Sequence, residues 1–342
     1  MKALALAVPL VEGELWRRRL REEGLLRTDL TIDIEGGSLY LPLKRAPADW
    51  GAGLRLKTHE FEAAPETAPE SYRELVDLPA AERSRLPRAF DVVGEVVVIR
   101  LPPELEPVAN RVGEALLQFV PGARVVAEDR GVHGPTRLRD LRRLAGVGGF
   151  ETVHRENGLS FHVDLTRAYF SPRLAREHAR VADQVGPAES IVDLCCGVGP
   201  FALTILHRRP AARAVAVDVN PSAIELVERN GRPWASGRLT ALCSDVSEYL
   251  ADAPRFDRAI LNLPHEGARF LPALAPHLLP GSTLNFYEVV ERSDASGRAR
   301  ELERLLGPPG VWSLVEEHVV HEFSPSSDLR GYSIKRSDGS AA

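Results

Sequence analysis

The sequence predicts an α/β protein: a Rossmann-like, doubly wound parallel sheet preceded by two smaller α+β domains. From Ser171 to about Gly310, apolar strand-like runs alternate with segments of helical spacing, the pattern of a parallel sheet covered on both faces. Ahead of it, two groups of short β-branched runs and single helices occupy residues 1–62 and 88–165. Between those groups lies EFEAAPETAPESYRELVDLPAAERSRLP, rich in Pro, Ala and Glu, which reads as a flexible linker over residues 63–87 without a packed core.

In the first group, Lys2 to Pro9 reads as a strand and Val11 to Gly24 as a helix with Leu15, Leu20 and Leu25 on or near one face. Strands around Thr31 to Ile34 and Ser38 to Pro42 flank the turn dipeptide Gly36-Gly37. The second group opens with DVVGEVVVIRLP, read as one β-branched strand. A helix follows from about Pro103 to Phe119, with Leu105, Val108, Val112, Leu116 and Phe119 at helical spacing. Val125 and Val126 suggest another strand, and Asn157-Gly158 signals a hairpin between Thr152 to His154 and Leu159 to Val163. In the third region, residues 166–342, strands are expected at Ile191 to Leu194, Ala214 to Asp218, Leu239 to Cys243, Arg258 to Leu261 and Ser282 to Val289, with helices between them.

Composition excludes several classes. With 44% hydrophobic and 27% charged residues, and no long apolar run, the 342-residue chain is neither disordered nor membrane-spanning. The opening MKALALAVPLVEGELWRRRL starts like a signal peptide, but Glu12 and Glu14 interrupt its short apolar stretch, so a cytoplasmic protein is expected. Three cysteines, Cys195, Cys196 and Cys243, build neither a disulfide framework nor a CxxC metal knuckle, and no metal is expected. A net charge of -5 argues against indiscriminate coating of nucleic acid, while leaving room for a local basic face.

The sharpest motif is IVDLCCGVGPF, residues 191–201: a hydrophobic strand carrying Asp193 runs into a loop with Gly197 and Gly199 that opens a helix. Glycine there lets backbone approach a ligand closely. The third glycine of GxGxxG is missing, Ala202 standing in its place, and no P-loop lysine follows. Asp218 ends the next strand, where a ribose-binding acid belongs. Asp245 follows the third strand, and Asn262-Leu263-Pro264 ends the fourth. Singly, each of these serves as a cap or turn former. At successive strand ends, together, they define a cleft.

DLCCGVG, AVDVN and CSDV, in that order, resemble the motifs of class I S-adenosylmethionine-dependent methyltransferases. More narrowly, DLTRAYFSPRLAREHARV, VDVNPSAIELVERN and LNLPHEGARFL resemble the archaeal and eukaryotic tRNA guanosine-37 N1-methyltransferase family, the resemblance being clearest over the last two thirds of the chain. It implies methyl transfer from S-adenosylmethionine, leaving S-adenosylhomocysteine, to N1 of guanosine 37 in the anticodon loop. It implies Glu177 as the base that removes the N1 proton, Arg137 as the stabiliser of charge on O6, and Asn262 with Pro264 as the turn that presents the acceptor. Around the cofactor it places Arg173, Asp193, Cys195, Gly197, Gly199, Asp218, Val219, Asn220, Asp245, Val246 and Asn262. Arg137, Arg139, Arg142 and Arg143 are the expected RNA contacts, and the first domain is expected to reach the tRNA elbow. A monomer is expected. Cys195-Cys196 stands where relatives commonly carry Phe-Ala, and the pair reads as small loop packing beside the cofactor.

The nearest alternative is the wybutosine-pathway aminocarboxypropyl transferase, followed by a bifunctional enzyme that also methylates a wyosine intermediate. A non-catalytic tRNA-binding protein is a third, disfavoured by the intact Asp193, Gly197, Gly199, Asp218 and Asn262. An NAD oxidoreductase is disfavoured by the missing glycine and by Asn262-Leu263-Pro264.

Overall fold

A computed structural model describes residues 1–47, 55–63, 69–134 and 136–338, which form two compact units, Met1–Glu70 and Ser71–Ala342. The first is a four-stranded antiparallel sheet: β1 (Lys2–Pro9), β2 (Asp33–Glu35), β3 (Ser38–Leu43) and β4 (Arg55–Glu60), in the order β2-β3-β1-β4, with helix α1 (Gly13–Glu22). Leu20 of α1 packs with Leu6, Val8 and Leu41, whereas Leu15, expected near the same face, is exposed. Strand β4 was not legible in the sequence, because RLKTHE is an edge strand with almost no buried side chain and lacks the apolar alternation that marks a strand.

The expected linker over 63–87 is corrected from Tyr72 onward. Tyr72, Val76, Leu78 and Leu86 are buried against Val97, Ile99 and Leu116, with a short helix α2 (Ala80–Arg83) among them. The Tyr72 hydroxyl donates to the Pro87 carbonyl at 2.5 Å, and Arg73 donates to the carbonyls of Arg83 and Ser84. A Pro, Ala and Glu background concealed four well-spaced apolar anchors. Residues 64–68 of the expected linker lie outside the described residues.

Next come β5 (Asp91–Val93), β6 (Val96–Ile99), α3 (Ala109–Phe119), β7 (Val125–His133) and β8 (Leu138–Gly146), forming a sheet in chain order with β6 and β7 parallel. The single strand expected in DVVGEVVVI is two, because Gly94 turns the chain at φ 55°, and a Cβ there would lie 2.5 Å from the Val153 carbonyl oxygen. The β9 (Glu151–Glu156) and β10 (Leu159–Asp164) hairpin turns on Asn157 and Gly158, both at positive φ.

The large sheet contains β11 (Ser190–Leu194), β12 (Arg213–Asp218), β13 (Leu239–Cys243), β14 (Phe256–Asn262), β15 (Leu278–Glu291), β16 (Trp312–Glu322) and β17 (Ser327–Arg336). Its order is β13-β12-β11-β14-β15-β17-β16; the first five strands are parallel and the last two are an antiparallel addition. The helices of this region are α4 (Ala175–Gln184), α5 (Pro200–Arg208), α6 (Pro221–Gly231), α7 (Val246–Ala251), α8 (Leu271–Leu274) and α9 (Arg298–Leu306). Neighbouring strand residues serve opposite faces: Val192, Leu261 and Phe286 join one apolar cluster, Ile191, Ile260 and Tyr287 the other. Tyr332 and Ile334 are buried, so the C-terminal GYSIKR run is a strand inside this sheet.

The boundary expected at residues 165/166 does not separate independent bodies. Val96, Val98 and Val125 share one hydrophobic cluster with Phe161, Phe170, Val198, Leu203 and Ala223, which makes residues 71–342 a single compact unit.

Candidate active site

The carboxyl ends of β11, β12, β13 and β14 open onto a cavity of about 870 Å³ within the second unit, where ligands of such sheets bind. After β11 the chain passes through Cys195, Gly197 and Gly199 at φ 60°, 55° and 80°. A side chain on Gly197 would place its Cβ 3.1 Å from the Tyr169 carbonyl oxygen, in a conformation that side chains resist. The loop is tied to the next strand through Asp218, whose carboxylate accepts the Gly197 N–H at 2.8 Å and the Asn220 N–H at 2.9 Å. Asn220 caps α6 through the Ser222 N–H, and Asp245 caps α7 through the Ser247 N–H. Gly197, Asp218, Val219, Asn220, Asp245 and Val246 all line the cavity, as does Cys195.

This end gathers three carboxyl groups, Asp193, Asp218 and Asp245, with no ion-pair partner among the described residues. Asp193 lies beneath the loop; one oxygen accepts the Ala202 N–H at 3.1 Å, and Oδ1 has no partner among the described residues. Burial and then the neighbouring Asp218 push its carboxyl up to about 7, against the lowering effect of the Ala202 N–H. Burial also raises Asp218, opposed by its backbone hydrogen bonds. The same burial pushes the Cys195 thiol up to about 12 and Cys196 well above its ordinary value, so neither is a thiolate nucleophile.

At the other end, the Asn262–Pro264 turn is held by the Val289 N–H, which donates to the Pro264 carbonyl at 2.9 Å. Asn262 lines the cavity, and its Oδ1 is buried and without a donor among the described residues. Arg137, at φ 51°, lies 5.8 Å from the Tyr169 ring and has no carboxylate partner among the described residues. Arg139 also approaches that ring, but it is paired with Asp129 at 2.9 Å and donates to the Phe170 carbonyl. Arg173 reaches the wall with its charge matched by Asp91 at 2.7 Å, an ion pair that joins the turn before α4 to β5.

Several expected site residues lie elsewhere. Arg142 is neutralised by Glu106 and Glu128, and Arg143 donates to the Gly148 carbonyl; neither lines the cavity. Asp193 and Gly199 support the loop from behind. Glu177 is also absent from the lining: it is buried on the helical face it shares with His178 and Val181. Its carboxylate accepts from Arg180, from the Tyr287 hydroxyl at 2.6 Å and from His318 at 3.1 Å. Burial alone would raise this carboxyl, but the hydrogen bonds from Arg180 and Tyr287 and the Arg180 charge hold it below the usual range. Conversely, sequence reasoning missed Arg100, Tyr169, His265 and Phe323 as wall residues. Only His265, directly after Asn262-Leu263-Pro264, carried a local signal.

A glycine loop closed by Asp218, with acids and an Asn-Leu-Pro turn at successive parallel strand ends, defines a class I S-adenosylmethionine-dependent methyltransferase. The model of the TRM5/TYW2 methyltransferase domain matches residues 152–306, that of the TYW2 N-terminal domain residues 72–149, and that of the tRNA methyltransferase 5 N-terminal domain residues 5–50. The chain is 35% identical to the tRNA (guanine(37)-N(1))-methyltransferase Trm5b of Pyrococcus abyssi over 94% of its own length and 96% of the relative's. It therefore belongs to the TRM5/TYW2 methyltransferase family. The solved complex of aTrm5 with tRNALeu superimposes with a TM-score of 0.73 at 28% identity, covering 97% of this chain and 99% of that one. A tRNA(Phe) (4-demethylwyosine(37)-C(7)) aminocarboxypropyltransferase of Pyrococcus horikoshii is 28% identical over 63% of this chain and 76% of its own.

Proposed function

We propose that this protein transfers the methyl group of S-adenosylmethionine to N1 of guanosine 37 in tRNA. One observation carries the reading: a single cavity is lined at one end by the acid-rich glycine loop and at the other by Asn262 and by Arg137, whose guanidinium has no carboxylate partner among the described residues. When bound, S-adenosylmethionine supplies an electrophilic methyl on a sulfonium. The residues fit it: Asp193, buried, and Asp218, half-buried, are carboxylates whose ionisation a cationic ligand would favour, and Val219 and Val246 give the wall apolar surface.

At the acceptor end, Asn262 Oδ1 accepts from an N–H of the guanine edge, and Arg137 stabilises the charge that moves to O6 as the N1 proton leaves. Glu177, the base the resemblance implies, takes that proton after its contacts with Arg180, Tyr287 and His318 rearrange and bring it from its buried position to the cavity. Arg180 also holds a second carboxylate, Glu316, at 2.6 Å, so its charge stays matched when it leaves Glu177. Glu177→Gln then slows single-turnover methyl transfer by about 10²-fold or more, with cofactor affinity within about twofold. A variant as fast as wild type would remove Glu177 from the chemistry.

The target base reaches the cavity by leaving the anticodon stack, at a cost of a few kcal/mol that RNA binding offsets. The first unit supplies part of that binding by holding the tRNA elbow, a role supported by its own compact core and its match to the tRNA methyltransferase 5 N-terminal domain. A monomer in the cytoplasm, where tRNA is modified, is the state this reading takes; among the described residues no helix is long and apolar enough to cross a membrane. The aminocarboxypropyl alternative is weaker because that relative shares much less of the chain.

The test is incubation with S-adenosylmethionine and an unmodified tRNA transcript bearing guanosine 37, followed by nucleoside mass spectrometry. The expected product is 1-methylguanosine, lost when position 37 is substituted. Its absence overturns the proposal.

A further inference from the structure

The turn between β16 and β17 carries an aromatic ring that neither methyl transfer nor the packed core uses. Phe323 follows β16 directly, and its backbone N–H donates to the Ser327 carbonyl at 3.0 Å, which fixes the turn. The ring belongs to neither apolar cluster of the large sheet and stands 50% exposed in the cavity wall. Beside it is His265, the residue after Pro264, with ring centroids 5.5 Å apart and planes at 71°. The two rings make an open corner next to the turn that presents Asn262. Burial, and then the charge of Arg137, hold His265 below its ordinary range, so the corner is uncharged. Arg100 and Arg137, both without carboxylate partners among the described residues, place positive charge in the same cavity.

An uncharged aromatic corner with cations nearby has the chemistry of a nucleotide-stacking platform: rings take base faces whatever the sequence, and guanidinium groups take phosphates. Extrusion of the target guanine also strips its neighbours of a stacking partner. We infer that the Phe323–His265 corner receives the nucleobase adjacent to guanosine 37, stacked on Phe323. This rests on the reading of the Asn262–Pro264 end as the target-base end.

The test uses the full-length protein, its Phe323→Ala and Phe323→Trp variants, and tRNA transcripts carrying 2-aminopurine on either side of guanosine 37. The Ala variant is expected to raise KM for tRNA about tenfold, with single-turnover rate and cofactor affinity within about twofold of wild type, and the Trp variant to restore KM. Wild-type binding should change the fluorescence at one of the two labelled positions, and the Ala variant should abolish that change. Unaltered KM and fluorescence in an Ala variant tested beside an active wild type would overturn this inference alone. A lower single-turnover rate at unchanged KM would place Phe323 against the reacting base and also overturn it. A wild-type protein that makes no 1-methylguanosine would overturn the underlying reading, and the corner's assignment with it.

Discussion

The two ends of the cavity are built in opposite ways. The cofactor end comes from short contiguous segments: the turns at Asp218, Asn220 and Asp245 accept backbone N–H groups two residues on, and the 193–199 loop is pinned to the next strand by Asp218. The acceptor end is assembled from side chains far apart in sequence: Arg137, Tyr169, and Asn262 with His265. A site made from local turns survives in sequence as a motif. One made from distant side chains is held by packing and leaves few local traces.

That contrast predicts a separation of phenotypes. The largest effect belongs to the acceptor end, where Arg137→Ala and Asn262→Ala should each lower kcat by about 10²- to 10³-fold with cofactor affinity nearly intact, as measured by single-turnover kinetics. Equal losses in cofactor affinity would erase the distinction between the ends. Asp218→Ala should do the reverse, weakening S-adenosylmethionine binding by about 10- to 100-fold in calorimetric titration, because the loop loses its anchor and two backbone donors lose their acceptor.

The cofactor end should also carry a pH signature. Because Asp193 titrates near 7 in the folded state and near its ordinary 3.8 when unfolded, the folded state holds the extra proton between those values. Stability contributed by this group is therefore complete below about pH 4 and is lost as pH rises through about 7, by an amount on the order of a few kcal/mol. Asp193→Asn should flatten that decline in chemical denaturation without cofactor; an unchanged slope would show that Asp193 is ionised throughout. The smallest effect is expected at Arg142, whose charge Glu106 and Glu128 already satisfy: Arg142→Ala should change KM for tRNA by less than about threefold, measured beside Arg137→Ala.

Misread elements follow the same division. The polar edge strand β4 and the Pro-rich anchor segment from Tyr72 to Leu86 have compositions typical of loops, yet one pairs along β1 and the other buries four apolar side chains. The arginines of β8 looked alike in sequence, and only their partners separate them: Arg142 faces two acids and Arg139 one, while Arg137, just before the strand, faces none among the described residues. The resemblance implied Glu177 as the base; its pairing with Arg180 is an i,i+3 contact within α4, whereas those with Tyr287 and His318 appear only once β15 and β16 pack over the helix.

By itself, the sequence determined the alternating parallel sheet, the glycine loop with Asp218, and the Asn262–Pro264 turn, because hydrophobic period and turn chemistry act over a few residues. Tertiary structure alone decided the hairpin of β16 and β17 at the sheet edge, the fusion of the middle sheet to the large one, and which charges in the cavity go unmatched. Those outcomes depend on which surfaces meet across long chain separations, where burial and pairing set the energy of each group and no local pattern records the partner.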